Sequence, residues 1–556
     1  MARVGLHGKK NRVRKPAASP PRRLMVLRIT CHAVAWFVVL APTVVQLERG
    51  WFPIGDNAFL ASRAYQVFSV HTPLVGMFAT GLQSTGHRIY DLGPLQSWLL
   101  AIPVRLAPGV GPLVGAAIVC GGASSLSIEA LWHCRGWPAA IVVPLLMGDL
   151  FWQANLVFAN LLWNAYFGLM FFIATVAVSW VVACGRRNWW PVLVFVASVA
   201  AQSHLMFAVP SMALVVLSPL IGRSARTVER CRWLAWGVVV GVVVWTAPLV
   251  QEFTSRTGNM TELIRYGHSV PTTGVGYGLR MLTIAASPKP IILTRYPSSV
   301  FADFRFIEPT GSLVAGVAVL VTLVGIWVYA RARGELDLAA LAAVTVVVAA
   351  GTAFGFSSIA KSYALGAAYL VYGLWVLGFL LWITWIWTGV IVLKHILATV
   401  GTGASHRRFR GVTPLLTSAG AAALALTSVA AAIGGLSIAI TSGRTSVGMT
   451  AVSDIRRIAS DVTERVPSPG PVAVVIRPSP VAAPNRSNAA VSPAFIDLVS
   501  NAVAYQLIVD GWQPGLEPSI GPFFQPPLAD WPVVVVTLGA HNVGAALAGS
   551  YRTVSR

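Results

Sequence analysis

The chain has 556 residues, 56% of them hydrophobic and 11% charged, with a mean hydropathy of +0.69. An ordinary soluble domain carries about 25% charged residues, so a soluble fold is excluded. The formal charge is +22, from 41 Lys and Arg against 19 Asp and Glu, and its patchy placement fits membrane orientation better than a nucleic-acid surface.

Residues 1–24 form a basic tail: nine cations lie between Arg3 and Arg28, and the first acid is Glu48. The apolar run at about 24–47 can span a bilayer, and no small-residue cleavage site follows it. It reads as a first transmembrane helix rather than a signal peptide. Further apolar stretches fall at about 93–107, 110–131, 138–157, 160–184, 189–220, 233–250, 312–330, 338–356, 364–393 and 413–441. That makes about eleven spans, with a range of 10–13. An eleven-helix path puts the basic clusters Arg223–Arg232, Arg331/Arg333 and Lys394–Arg410 in the cytoplasm and leaves Arg186/Arg187 outside. Splitting 189–220 around Gln202-Ser203-His204 brings that pair inside but demands a compensating change elsewhere. The multi-spanning region is 25–441, with outer loops at about 48–92 and 251–311.

Beyond about residue 445 the membrane pattern ends. A helical pattern at 453–466, a strand-like run at 472–476, a helix at 494–509 and a strand at 533–538 alternate with Pro-rich turns, and seven Arg balance seven acids. This predicts a small extracytoplasmic α/β domain over 445–556. The fold class is therefore an all-α polytopic membrane protein with a C-terminal α/β domain. The five cysteines lie in or beside apolar segments and read as buried hydrophobes.

Ionisable residues deep in the spans are few: Glu129 and Asp149 near segment edges, with Lys361 between spans. That does not favour a transport path. Polar chemistry gathers in the outer loops, where the carboxylates are Glu48, Asp56, Asp91, Glu252, Glu262, Asp303 and Glu308. Asp56 follows Gly55 and precedes an amphipathic stretch suited to the membrane surface. Two roles are open to it: N-cap of a helix beginning at Asn57, or a carboxylate facing a lipid-borne head group. Asp91, before Gly93-Pro94, also suits a turn. Aromatics such as Trp163 and Tyr166 fit an interfacial belt. The Gly/Thr-rich stretch 271–278 reads as mobile and suits a lid. With no P-loop, GxGxxG or zinc-ligand spacing, a direct nucleotide-sugar donor is unsupported.

The pieces Pro53-Ile54-Gly55-Asp56 and Asp91-Leu92-Gly93-Pro94-Leu95-Gln96-Ser97-Trp98, in this order after a first span, resemble the GT-C glycosyltransferases. That superfamily includes protein O-mannosyltransferases, lipid A aminoarabinose transferases and mycobacterial arabinofuranosyltransferases. The resemblance implies transfer of a sugar from a polyprenyl-phosphate donor to a glycan, glycolipid or protein acceptor at the outer face of a bacterial plasma membrane. It also implies an N-terminus in the cytoplasm, membrane lipids as surroundings and no nucleic-acid partner. Asp56 matches the catalytic base. Asn57 stands where mannosyltransferases often carry a second acid. A leaving lipid phosphate needs cations; candidates are Arg63, His71, His87, Arg88, Arg280 and Lys361. Asp91, Glu252 and His268 are the acceptor or second-acid candidates. No cofactor is required, although Asp56 with Asp91 or Glu252 has the chemistry to hold a divalent cation. The alternatives are a flippase or transporter of lipid-linked saccharide, or a non-catalytic envelope-assembly protein of the same fold.

Overall fold

The computed structural model describes residues 22–79, 89–154, 156–221, 227–289, 311–361, 372–400, 430, 433–434, 449–466, 468–478, 493–516, 533–538 and 551–555. The first half folds as α1 (Arg22–Glu48), α2 (Asp56–Gln66), α3 (Leu95–Leu106), α4 (Gly111–Arg135), α5 (Trp137–Ala140), α6 (Val142–Gln153), α7 (Leu156–Ala159), α8 (Asn164–Ala183), α9 (Trp190–Ser203) and α10 (Leu205–Ile221). There follow α11 (Thr227–Thr254), α12 (Asn259–Ser269), α13 (Val275–Ala286), α14 (Leu313–Ala332), α15 (Leu336–Ser357) and α16 (Tyr372–Val400). Among the described residues, seven helices are long and apolar enough to cross a membrane: α1, α4, α8, α11, α14, α15 and α16. The polytopic helical architecture is as expected. The α8 helix is apolar all round and wholly buried, which marks it as the centre of the bundle.

Side-chain pairs sort the helix ends onto two faces. On one, Arg28 of α1 pairs with Glu129 near the end of α4, and Arg135 pairs with Asp337 at the head of α15. Trp180, near the end of α8, donates to the Asp337 carbonyl at 3.2 Å. Arg187, shortly after α8, donates to the Pro219 carbonyl at 3.1 Å, and the Arg331/Arg333 turn precedes α15 on the same face. The opposite face joins Gln46 to Ala159, Asn57 to Asn160 and Asn259 to Tyr90.

This arrangement corrects two expected spans together. The 189–220 stretch is a hairpin: α9 and α10 run antiparallel, with Trp190 Nε1 donating to the Val215 carbonyl at 2.8 Å, and turn tightly at His204. Arg186/Arg187 therefore shares a face with the other arginines. The compensating change is α3. Its 12 residues reach about 18 Å, short of a hydrocarbon core of about 30 Å. Both of its ends stay on the second face: Trp98 Nε1 donates to the Pro73 carbonyl at 3.3 Å and Arg105 Nε to the Tyr65 carbonyl at 2.7 Å. The 93–107 segment is thus a surface-lying helix, not a span. The seven long helices are the described candidate spans, and the shorter pair α5/α6 and the α9–α10 hairpin pack among them; the expected span at 413–441 falls almost wholly outside the described residues.

The C-terminal part contains α17 (Met449–Arg465), α18 (Pro493–Val509) and a four-stranded sheet of β1 (Pro471–Pro478), β2 (Gln513–Leu516), β3 (Val533–Leu538) and β4 (Tyr551–Ser555). The strand order is β2-β1-β3-β4, with β1 parallel to β2 and β3, and β4 antiparallel to β3. Valines of β1 and β3 meet α17 and α18 in one apolar core. The expectation of α2 as a helix lying in the lipid interface does not hold, because protein covers it on two sides. Phe59, Leu60 and Ala64 pack into the bundle core, while Ala58 and Ala61 pack into the core of the C-terminal domain.

Candidate active site

The site begins at Gly55, whose φ of 52° and ψ of −128° suit glycine and strain any residue with a Cβ. That turn starts α2 one residue early, so Asp56 is the first helical residue rather than its cap, and its side chain makes no capping bond. The carboxylate instead accepts a hydrogen bond at Oδ2 from the Trp163 indole N–H at 3.0 Å. Capping, the competing role, is thereby removed. Burial pushes the Asp56 carboxyl up to about 6, against the opposing pull of the Trp163 N–H.

Seven residues on, nearly two helical turns, Arg63 shares a face of α2 with Asp56. Its Nη2 donates to the Val75 carbonyl at 2.9 Å, and its guanidinium sits 5.6 Å from the Phe59 ring centre. Its Nε–H is buried and has no hydrogen-bond partner among the described residues. Burial lowers the Arg63 pKa to about 10, which leaves it cationic at neutral pH.

Beside Arg63 lies a short antiparallel ladder absent from the sequence reading. Asp91 N–H donates to the Met77 carbonyl at 2.7 Å, Gly76 N–H to the Asp91 carbonyl at 3.0 Å, and Phe78 pairs with Tyr90. A Cβ on Gly76 would lie 2.7 Å from the Asp91 Cβ, so only glycine permits this approach. The buried Asp91 carboxylate accepts from Asn164 Nδ2 at 2.8 Å and from the Leu205 N–H, the first of α10, at 3.2 Å. Burial holds its pKa well above the ordinary carboxylate range. Asp91 therefore anchors the tip of the α9–α10 hairpin to the head of α8, a long-range contact rather than a local turn.

The other candidates scatter. Glu252 accepts from the Met260 and Thr261 N–H groups at 2.8 and 3.1 Å and so caps the head of α12. His71, His268, Arg280 and Lys361 are exposed. His87 and Arg88 lie outside the described residues. The 271–278 stretch is not a free lid: Thr273 N–H donates to the Ile359 carbonyl at 2.9 Å and Gly274 N–H to that of Ser357 at 3.0 Å, which pins it to the end of α15. Among the described residues, no group of three or more His, Cys, Asp or Glu side chains gathers as a metal site.

A crystal structure of ArnT from Cupriavidus metallidurans bound to undecaprenyl phosphate is similar to this chain, with 15% identity and a TM-score of 0.45, over 93% of this chain and 94% of that one. Neither a family model nor a curated protein matches the chain.

Sequence reasoning missed Trp163 and Asn164. These neighbours at the head of α8 hold one aspartate each, Asp56 and Asp91. Composition gave Trp163 to the aromatic belt, and nothing local to it names Asp56, 107 residues away. The result is a carboxyl raised by burial to about 6 and a cation with a spare donor about 10 Å further along one helix face. Such a pair can take a proton at one end and meet negative charge at the other.

Proposed function

We propose that this chain is a GT-C-type glycosyltransferase, moving a sugar from a polyprenyl phosphate to a cell-envelope glycan, glycolipid or protein at the outer face of a bacterial plasma membrane. The observation that carries this reading is the placement of Asp56 and Arg63 on one face of α2, the first raised to about 6 by burial and the second keeping an unpartnered Nε–H. Asp56 takes the proton of the acceptor hydroxyl as that oxygen bonds to the anomeric carbon. The bond from that carbon to the phosphate oxygen breaks, and its electron pair leaves on the lipid phosphate, whose charge Arg63 meets. Attack opposite the leaving group inverts the sugar. The steps call on no cofactor.

The face that carries Arg28, Arg135, Arg187, Arg331 and Arg333 is the cytoplasmic one by the positive-inside rule. The N-terminus then lies in the cytoplasm, and α2 and the C-terminal domain lie outside. The order of the first-loop motifs supports the same reading. The test is transfer by purified protein in nanodiscs from undecaprenyl-phosphate arabinofuranose and mannose to envelope acceptors. Wild type transfers from one of them, and Asp56→Asn, folded as judged by thermal unfolding, does not. Full transfer by Asp56→Asn would sink the assignment, and movement of the lipid between leaflets without transfer would favour a flippase.

A further inference from the structure

Among the described residues, the apolar core of the C-terminal domain continues into α2 and the segment before it. Phe52 and the Ala58 and Ala61 stripe of α2 are buried in the same cluster as Ile455, Val503 and Trp512. Phe52, four residues before Asp56, is held from two sides: the Tyr505 ring lies 6.2 Å away and the Arg456 guanidinium 5.9 Å away, centre to centre. Tyr505 then reaches past this contact, its hydroxyl donating to the Pro108 carbonyl in the α3–α4 turn at 2.7 Å. Tyr65, at the far end of α2, donates to the Val509 carbonyl at 3.4 Å. An isolated helix of 11 residues is marginal in water, so packing sets where α2 sits. One stripe of that packing belongs to the bundle and the other to the C-terminal domain.

We propose that the C-terminal α/β domain is a working part of the active site: by sharing its core with the segment Phe52–Tyr65 it fixes the position of Asp56, and Tyr505 is the positioning residue of that contact. The proposal rests on Asp56 being the general base. The domain acts through α2 and touches no reacting atom. Only Pro53, Ile54 and Gly55 separate the clamped Phe52 from Asp56, so displacement of the ring moves the head of the helix.

The experiment compares Tyr505→Phe, Tyr505→Ala and Asp56→Asn as full-length chains in nanodiscs. Hydrogen exchange is read by mass spectrometry, and transfer is read with the two undecaprenyl-phosphate sugars above. In Tyr505→Ala, amides of Asn57–Leu60, at the head of α2, exchange about tenfold faster while those around Arg63 and of α8 stay as in wild type. Its kcat falls about tenfold, and KM for the lipid donor stays within about twofold. Tyr505→Phe, which keeps the ring and loses the hydroxyl, falls between. Unchanged exchange over α2, or unchanged kcat in Tyr505→Ala, overturns the clamp. Loss of transfer in Asp56→Asn beside full transfer in Tyr505→Ala removes the clamp and leaves the base reading standing. Transfer surviving in Asp56→Asn removes the base reading itself.

Discussion

The Trp163 indole donates to Asp56 across 3.0 Å, and this bond works against the burial that lifts the carboxyl to about 6. Replacing Trp163 by Phe removes the donor and keeps an aromatic ring. The pKa of Asp56 then rises further, because the ionised form loses its hydrogen bond. The acid limb of the kcat–pH profile moves upward from about 6, so transfer at pH 6 falls several-fold while transfer at pH 8 stays close to wild type. A profile that does not move would show that the indole has no hold on the base.

Asp56→Asn trades activity for stability. Loss of the base lowers transfer by about 10²–10⁴-fold. The folded pKa of about 6 lies above the ordinary 3.8, so burial disfavours the ionised form. That destabilisation is absent below about pH 4, grows between about pH 4 and 6, and is complete above. The shift corresponds to about 3 kcal/mol, and solvent at this half-buried residue reduces it to ~2 kcal/mol. At pH 7.5 the Asn variant therefore unfolds at a higher temperature than wild type, and at pH 4 the two converge. Thermal unfolding in detergent at both pH values checks the sign.

Arg63 is expected to bind the lipid phosphate through its free Nε–H. A hydrogen bond to a charged group contributes about 1.5–3 kcal/mol, so Arg63→Ala weakens undecaprenyl-phosphate binding by about 10- to 100-fold. Arg63→Lys recovers part of it, since a point charge replaces the planar fork. Native mass spectrometry of the nanodisc complex reads both. Equal affinity in all three proteins would make Arg63 a prop for the Val75 loop alone.

The hairpin topology is testable with one cysteine added at a time to a background in which the accessible Cys134, Cys184 and Cys231 are replaced by Ala. Val70, in the first loop, and Arg186, before α9, are both exposed. An impermeant maleimide applied to whole cells labels Val70→Cys, and it labels Arg186→Cys only after permeabilisation. Labelling of Arg186→Cys in intact cells would restore the map in which 93–107 spans the membrane.

Hydropathy made the long helices legible because each apolar stretch is continuous and its basic flanks mark a side. It failed at 93–107 and 189–220, where a window of apolar residues cannot tell a surface helix from a span, or one long helix from a hairpin. Side chains decide those cases: Arg105 turns back to Tyr65, and Arg187 reaches Pro219. In the site, Asp56 and Arg63 were visible because both lie on one short helix whose period can be counted. Trp163, Asn164 and the hold of Tyr505 on Phe52 were not, because each joins segments far apart in the chain. The Glu252 cap was missed for a nearer reason: the turn that brings the head of α12 back to it carries no signature beyond Gly258.

The bond between Asp91 and the Leu205 N–H spans 114 residues, and that separation bears on how the protein is made. At a synthesis rate of about 5–20 residues per second, Asp91 leaves the ribosome roughly 6 to 23 s before its partner does. Through that interval the first loop has neither the hairpin tip nor, for longer still, the C-terminal domain to hold it. The helix bearing Asp56 is thus translated among the first elements, while the packing it shares with the C-terminal domain forms among the last.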